Sequence, residues 1–78
     1  MSDDIFERLK ARAVDVLAVD AGKVTKEAKF GEDLDADSLD LVEFVMALEE
    51  EFDINVEEEE LESVVTVGQA YDLVKSKL

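Results

Sequence analysis

The segment that decides the fold is residues 37–52, DSLDLVEFVMALEEEF. Successive residues of a helix point about 100° apart, and at that spacing the apolar side chains of this segment separate into two stripes. We predict a helix that begins at Asp37 or Ser38, either of which can cap it, and that ends near Phe52. The stripe predicted to face the core consists of Leu41, Phe44, Val45, Leu48 and Phe52.

The second apolar stripe of this helix lies about a third of a turn from the core face. It consists of Leu39, Val42 and Met46, and is called the ridge below. Three carboxylates border the ridge: Glu43, Glu49 and Glu50. An apolar stripe that faces away from the core and is edged by acids is typical of a docking surface for a basic partner.

The segments before this helix predict one further helix and a long loop. Apolar residues recur at four-residue spacing from Ile5 to Leu17, which indicates an amphipathic helix from about Asp3 to Leu17. The connection from Ala18 to about Ala36 is longer than ordinary loops, so we expect it to hold an extra turn. Phe30 and Leu34 should anchor it to the core.

After Phe52, the segment of residues 53–56 is predicted as a turn or an extended piece. A short acidic helix is expected from Glu57 to about Val64, and a last helix from a capping box of Thr66 and Gln69 to about Lys77. The last helix should bury Ala70, Tyr71 and Val74, with Leu78 as a further candidate. Residues 54–56 and 64–67 could instead pair as strands, although a lone two-stranded pair is marginal in water.

The predicted fold class is therefore all-α: a four-helix bundle of three main helices and one short helix, with a long first loop. We expect a single domain over residues 1–78. The chain has no His and no Cys, which removes the commonest general base, the thiol nucleophile and the usual zinc ligands. We therefore predict that the chain is not an enzyme and has no catalytic residue, and we separately expect a monomer. No apolar run approaches the roughly 20 residues of a membrane span, and nothing indicates an oxidising compartment, so we expect a cytoplasmic location.

Charge is the strongest global signal, because the net charge is −14. From Phe30 to Val74 there is no Lys or Arg, while 16 Asp and Glu fall in that span. Nucleic acid and anionic membranes are poor partners for such a chain, since it gains nothing from counterion release there.

The acidic residues immediately before the helix of residues 37–52 resemble the start of a calcium-binding loop. Asp33, Asp35 and Asp37 would occupy positions 1, 3 and 5 of an EF-hand. However, position 6 would be Ser38 where Gly is required, and position 12 would be Phe44 where a Glu is required. An EF-hand is therefore discounted, and no metal site is predicted.

Ser38 has an ordinary explanation and a more specific one. Ser is a preferred N-cap residue, and a cap contributes about 1 kcal/mol. Capping does not explain why the ridge begins immediately beside Ser38.

The run from Phe30 to Asp40, followed by residues 42–43 and 45–52, resembles freestanding acyl carrier proteins of dissociated (type II) fatty acid synthesis. The resemblance implies that Ser38 receives a covalent 4′-phosphopantetheine arm from coenzyme A through a phosphopantetheinyl transferase. It also implies that the arm holds acyl groups as thioesters. The residues that match the family's partner-facing positions are Asp37, Leu39, Asp40, Val42, Glu43, Met46, Glu49 and Glu50.

The partners implied by the resemblance are the transferase, acyl chains, and fatty acid synthesis enzymes with basic docking patches. Alternatives are a carrier for a polyketide, peptide or D-alanyl pathway, or an acidic interaction bundle with no prosthetic group. An acyl chain could shelter between the second and later helices, near Phe44, Met46, Leu61 and Tyr71. Two departures from the family pattern are Asp35, where many members have Gly, and the absence of the Pro that many have before the Glu run.

Overall fold

A computed structural model describes residues 4–78 of the chain. Its four helices are α1 (Asp4–Leu17), α2 (Ser38–Phe52), α3 (Glu58–Glu62) and α4 (Val67–Lys77), and the first loop contains a 3₁₀ turn at Ala21–Lys23. No strand occurs within this range. The all-α prediction of three main helices, one short helix and a long first loop is confirmed. The predicted start of the first helix at Asp3 lies outside the described residues.

The core lies between α1, α2, α4 and the first loop. Each main helix contributes the apolar face that its 3.6-residue period predicts. Phe30 and Leu34 are 3% and 4% exposed, which confirms that they anchor the loop, and the Phe30 ring lies 5.4 Å from that of Phe44. The buried helical residues of this core are Leu9, Ala13, Phe44, Leu48, Phe52, Val67, Ala70, Tyr71 and Val74.

Two end points differ from the sequence predictions. Leu78, a candidate for burial, is 60% exposed, because it follows the last turn of α4 and only its N–H reaches back, to the Lys75 carbonyl. The short helix ends at Glu62 rather than near Val64. There the Ser63 hydroxyl donates to the Glu60 carbonyl at 2.8 Å, and the β-branched residues that follow disfavour a further helical turn.

The predicted alternative of paired strands at 54–56 and 64–67 is not found. Residues 65–68 instead lie against the first loop, where Lys29 and Thr66 form an isolated antiparallel bridge. Three backbone hydrogen bonds join the two segments: Phe30 N–H to Val65 O, Val67 N–H to Ala28 O, and Gly68 N–H to Lys26 O. These bonds fix the long loop to the start of α4.

Basic side chains join α1 to α2 and the first loop to α4. Arg8 of α1 lies 4.5 Å from the centre of the Phe52 ring and donates to the Glu51 carboxylate at 2.7 Å. The ammonium groups of Lys26 and Lys75 lie 4.5 and 5.1 Å from the centre of the Tyr71 ring. The eight basic residues all precede Phe30 or follow Val74, so α2 and α3 carry none of them.

Candidate functional site

The start of α2 is capped by two aspartates that bind each other's backbone. The Asp40 N–H donates to Asp37 Oδ1 at 2.9 Å, and the Asp37 N–H donates to Asp40 Oδ2 at 3.2 Å. This reciprocal pair satisfies two of the N–H groups that a helix start leaves without partners. Between the two capping candidates, the structure therefore selects Asp37, and Ser38 becomes the first residue of the helix.

Ser38 differs from the other two serines of residues 4–78. The Ser63 hydroxyl donates to the Glu60 carbonyl at 2.8 Å, and the Ser76 hydroxyl donates to the Leu73 carbonyl at 2.7 Å. The Ser38 side chain is exposed, and its hydroxyl makes no hydrogen bond within the described range. It also lies in the first turn of a 15-residue helix, where backbone N–H groups and the helix dipole favour a negatively charged group. An exposed hydroxyl at a position that tolerates a phosphate fits a phosphopantetheine arm.

The loop that leads into Ser38 is fixed from both ends. The Lys29 N–H donates to Asp33 Oδ2 at 2.7 Å, and the Ala36 N–H donates to the Phe30 carbonyl at 2.8 Å. Asp35 has a left-handed backbone, with φ of 55°. Gly adopts this conformation freely, and Asp is among the few residues that enter it at moderate cost. Asp35 therefore adopts a backbone conformation that a Gly at this position would also favour.

An apolar groove of about 600 Å³ opens between α2 and α3, and Ser38 is one of its lining residues. Leu41 and Val45, which we predicted to face the core, line this groove, as do Met46 and Leu61. Phe44 and Tyr71, which we expected beside an acyl chain, are 0% and 6% exposed and belong to the core instead. The groove is therefore formed on the outer side of α2, and its remaining lining residues are Val42, Glu49, Val56, Glu58, Glu62 and Val64.

The ridge predicted from the sequence is present on the surface of α2. Leu39, Val42 and Met46 are 67%, 38% and 58% exposed. Glu43 and Glu50 are exposed beside it, and neither forms an ion pair with any residue that the structure describes. Ser38 and the ridge thus share one surface with the mouth of the groove. Val16 of α1, which the sequence did not single out, borders the ridge on its other side with Ala47.

Glu49 is placed differently from the other two acids of the ridge. It is half-buried, and its Oε2 accepts the N–H of Val56 at 2.8 Å. No pattern in the sequence pointed to this contact, because it joins α2 to a residue seven positions later, beyond a turn.

The helix α3 is held to α4 by an ion pair between Lys77 Nζ and Glu60 Oε1, at 2.9 Å. Glu60 Oε1 also accepts the Glu57 N–H at 3.0 Å. The backbone hydrogen bond from Glu57, followed by the interaction with Lys77, holds the pKa of Glu60 below its usual value of 4.5. The acidic helix is thus fixed at its end by one of the few basic residues of the chain.

The described residues, 4–78, contain neither a metal-binding cluster nor a membrane-spanning helix. No group of three or more His, Cys, Asp or Glu side chains in this range is arranged to hold a metal ion. None of the helices is long and apolar enough to cross a bilayer.

Comparison with known proteins identifies the family. Residues 7–74 match the family model described as a phosphopantetheine attachment site. The acyl carrier protein of Petrotoga mobilis is 50% identical over 76 residues, which cover 97% of this chain and 89% of that protein. The acyl carrier protein of a Picosynechococcus species is 49% identical over 77 residues, covering 99% and 95% of the two chains. That of Thermosynechococcus vestitus is 49% identical over 75 residues, covering 96% and 93%. The chain therefore belongs to the acyl carrier proteins of the phosphopantetheine-attachment family, and the predicted carrier function and covalent 4′-phosphopantetheine cofactor are confirmed.

Proposed function

We propose that Ser38 is the residue to which the arm is attached. The observation that carries this proposal is the exposed Ser38 hydroxyl, which has no hydrogen-bond partner within residues 4–78. It is not needed to cap the helix, because Asp37 is the N-cap. Ser38 Oγ would lose its proton and form a phosphodiester with the pantetheine half of coenzyme A, while the nucleotide half leaves. When bound, the arm supplies the terminal thiol on which an acyl group is held as a thioester.

The attachment is tested by intact mass after incubation with a phosphopantetheinyl transferase, Mg²⁺ and coenzyme A. The wild-type chain should gain one arm, and Ser38→Ala should gain none. Ser63→Ala is the matched control, because it removes a hydroxyl that is already engaged by the Glu60 carbonyl. Modification of Ser38→Ala would show that the site is wrong, and an unmodified wild type would favour an interaction bundle without an arm.

We further propose that the ridge is the surface on which partner enzymes dock. Its exposed apolar side chains are accompanied by carboxylates without ion-pair partners in the described part of the chain, as a basic partner requires. Charge complementarity of this kind mainly accelerates association and falls as salt is added. The proposed contact residues are Asp37, Leu39, Asp40, Val42, Glu43, Met46, Glu49 and Glu50. Of these, Asp37 and Asp40 also form the cap.

Docking is tested by transferase kinetics at low salt with Glu43→Lys and Asp72→Lys. Both variants change the charge by the same amount, but Asp72 is an exposed residue of α4, away from the ridge. We expect kcat/KM to fall roughly tenfold for Glu43→Lys and to stay near wild type for Asp72→Lys. Equal losses of kcat/KM would indicate that only the net charge matters, which would contradict the proposal that partners dock on the ridge.

The groove between α2 and α3 is proposed as the shelter of the acyl chain. It is lined mainly by apolar side chains, and Ser38 is one of its lining residues. A buried CH₂ group contributes about 0.8 kcal/mol, so the melting temperature of the acylated protein should rise with acyl length until the groove is filled. An unchanged melting temperature across acyl lengths would contradict the shelter.

We also propose that the chain serves fatty acid synthesis in the cytoplasm. The acidic α2 and the sequence Asp37-Ser38-Leu39-Asp40 support fatty acid synthesis rather than a polyketide, peptide or D-alanyl pathway. The carrier would present its cargo at high local concentration and would not catalyse a reaction itself. Transfer of a malonyl group to the arm by a fatty acid synthesis acyltransferase tests the pathway. The cytoplasmic location stays a prediction, which cell fractionation would test.

A further inference from the structure

The linker between α2 and α3, residues 53–57, is held by Ile54, which packs against the core, and by hydrogen bonds to one residue of α2, Glu49. The N–H groups of Asp53 and Ile54 both donate to the Glu49 carbonyl, the latter at 3.1 Å. The Val56 N–H donates to the Glu49 carboxylate at 2.8 Å. Three N–H groups of the linker therefore converge on Glu49.

The helix that follows this linker buries little apolar surface of its own. No residue of α3 is buried, and Leu61, its one large apolar residue, is half-buried. The first turn of α3 is fixed by the Glu60 carboxylate, whose Oε1 accepts the Glu57 N–H and forms the ion pair with Lys77. The Glu49 carboxylate holds the linker that leads into α3, and both Glu49 and Val56 are lining residues of the groove.

We infer that Glu49 is a positioning residue for the groove, because its carboxylate holds the α2–α3 linker and with it the wall formed by α3. This inference gives Glu49 a role apart from docking. The docking role depends on its negative charge, whereas the positioning role depends on a hydrogen-bond acceptor at Oε2. A Gln at this position keeps an acceptor and loses the charge, and an Ala loses both. The two roles can therefore be separated by substitution.

Amide hydrogen exchange of the chain without the arm tests directly whether the Glu49 carboxylate holds the linker. In Glu49→Ala, the Val56 and Leu61 amides should exchange about tenfold faster, because the acceptor of the hydrogen bond that holds the linker is lost. In Glu49→Gln both amides should stay close to wild type. The matched control is Glu50→Ala, which removes the neighbouring exposed acid and should change neither amide. The amide of Val74 in the core serves as the reference for global unfolding.

A second measurement concerns the cargo, and it alone depends on the proposed attachment at Ser38. With an acyl thioester on the arm, cleavage by hydroxylamine should be several-fold faster for Glu49→Ala than for wild type, Glu49→Gln and Glu50→Ala. Unchanged Val56 and Leu61 exchange in Glu49→Ala would overturn the inference. So would a Glu49→Gln variant whose thioester is as exposed as that of Glu49→Ala. If Ser38 accepted no arm, the proposed function would fail, while the exchange rates would still decide the role of Glu49.

Discussion

The helices α3 and α4 begin alike but are held in place differently. In each, the N–H of the cap residue donates to the side chain of the third helical residue: Glu57 to Glu60 in α3 and Thr66 to Gln69 in α4. Beyond that first turn, α4 buries four of its eleven residues, and α3 buries none of its five. Apolar packing therefore holds α4 in the core, whereas α3 is held mainly by polar contacts of its linker and its first turn.

This contrast divides the molecule into a packed core of α1, α2 and α4 and a weakly held wall formed by α3 and its linker. The proposed shelter would use both properties, because a weakly held wall can cover the cargo and open to release it. Segments with few buried apolar contacts are those that open most easily in a folded protein.

The largest expected effect is a loss of unfolding free energy when Leu is replaced by Ala in the core, compared with the same substitution in α3. Leu48 is 2% exposed in the core, whereas Leu61 of α3 is half-buried. We expect Leu48→Ala to lower the free energy of unfolding by about 3–4 kcal/mol and Leu61→Ala by only about 1 kcal/mol. Urea denaturation measures both values. Similar losses would show that α3 is as firmly packed as the core.

The next effect concerns the close contact between α4 and the first loop. A Cβ at Gly68 would lie 2.9 Å from the Lys26 carbonyl oxygen, which accepts the Gly68 N–H. Gly68→Ala should therefore destabilise the protein by about 1–2 kcal/mol, although Ala is otherwise favoured in helices. Gly22→Ala is the matched control, since a Cβ there meets nothing within 4 Å. A neutral Gly68→Ala would mean that the loop moves freely away from α4.

A smaller effect is expected at the left-handed residue of the loop before Ser38. Asp35→Gly and Asp35→Ala remove the same charge, but only Gly adopts a φ of 55° without steric cost. The Gly variant should be about 1 kcal/mol more stable than the Ala variant in thermal or urea denaturation. Equal stabilities would indicate that this backbone conformation is not maintained in solution.

The smallest effect is the pH dependence of the contact between α3 and α4. Because the pKa of Glu60 is lower in the folded chain, its carboxylate stabilises the fold above the usual value of 4.5. That contribution is lost as the pH falls through the lowered pKa. In Lys77→Met, the pKa should rise only part of the way to 4.5, because the larger cause, the Glu57 N–H, remains. A carboxyl NMR titration measures this, and an unchanged pKa would contradict the ion pair.

The sequence predicted those features that follow from helical periodicity. It separated the core face of α2, with Phe44 and Leu48, from the exposed ridge, because residues about 100° apart on a helix cannot share one face. It did not predict contacts between distant backbone and side-chain groups. The bond between Glu49 and Val56 and the attachment of residues 26–30 to residues 65–68 depend on how the turns fold back, which no local pattern encodes.

The same difference between helical periodicity and long-range contacts explains which properties of the site residues could be predicted. The exposure of Ser38 and of Met46 followed from their positions on α2. Whether Asp37 or Ser38 caps the helix could be decided only from the structure. Leu41 and Val45 were expected to face the core: Val45 is 6% exposed and Leu41 packs against the core, although both also line the groove. The sequence predicted an α3 that extends to about Val64, whereas it ends at Glu62.

The central claim, that Ser38 carries the arm, is tested most directly by locating the arm within the modified chain. Because no Lys or Arg occurs between residues 29 and 75, trypsin releases a peptide of residues 30–75 that contains both Ser38 and Ser63. Fragmentation of this peptide by tandem mass spectrometry should place the added mass on Ser38 alone. An arm found on Ser63, or a modified chain whose residue 30–75 peptide carries no added mass, would contradict the account.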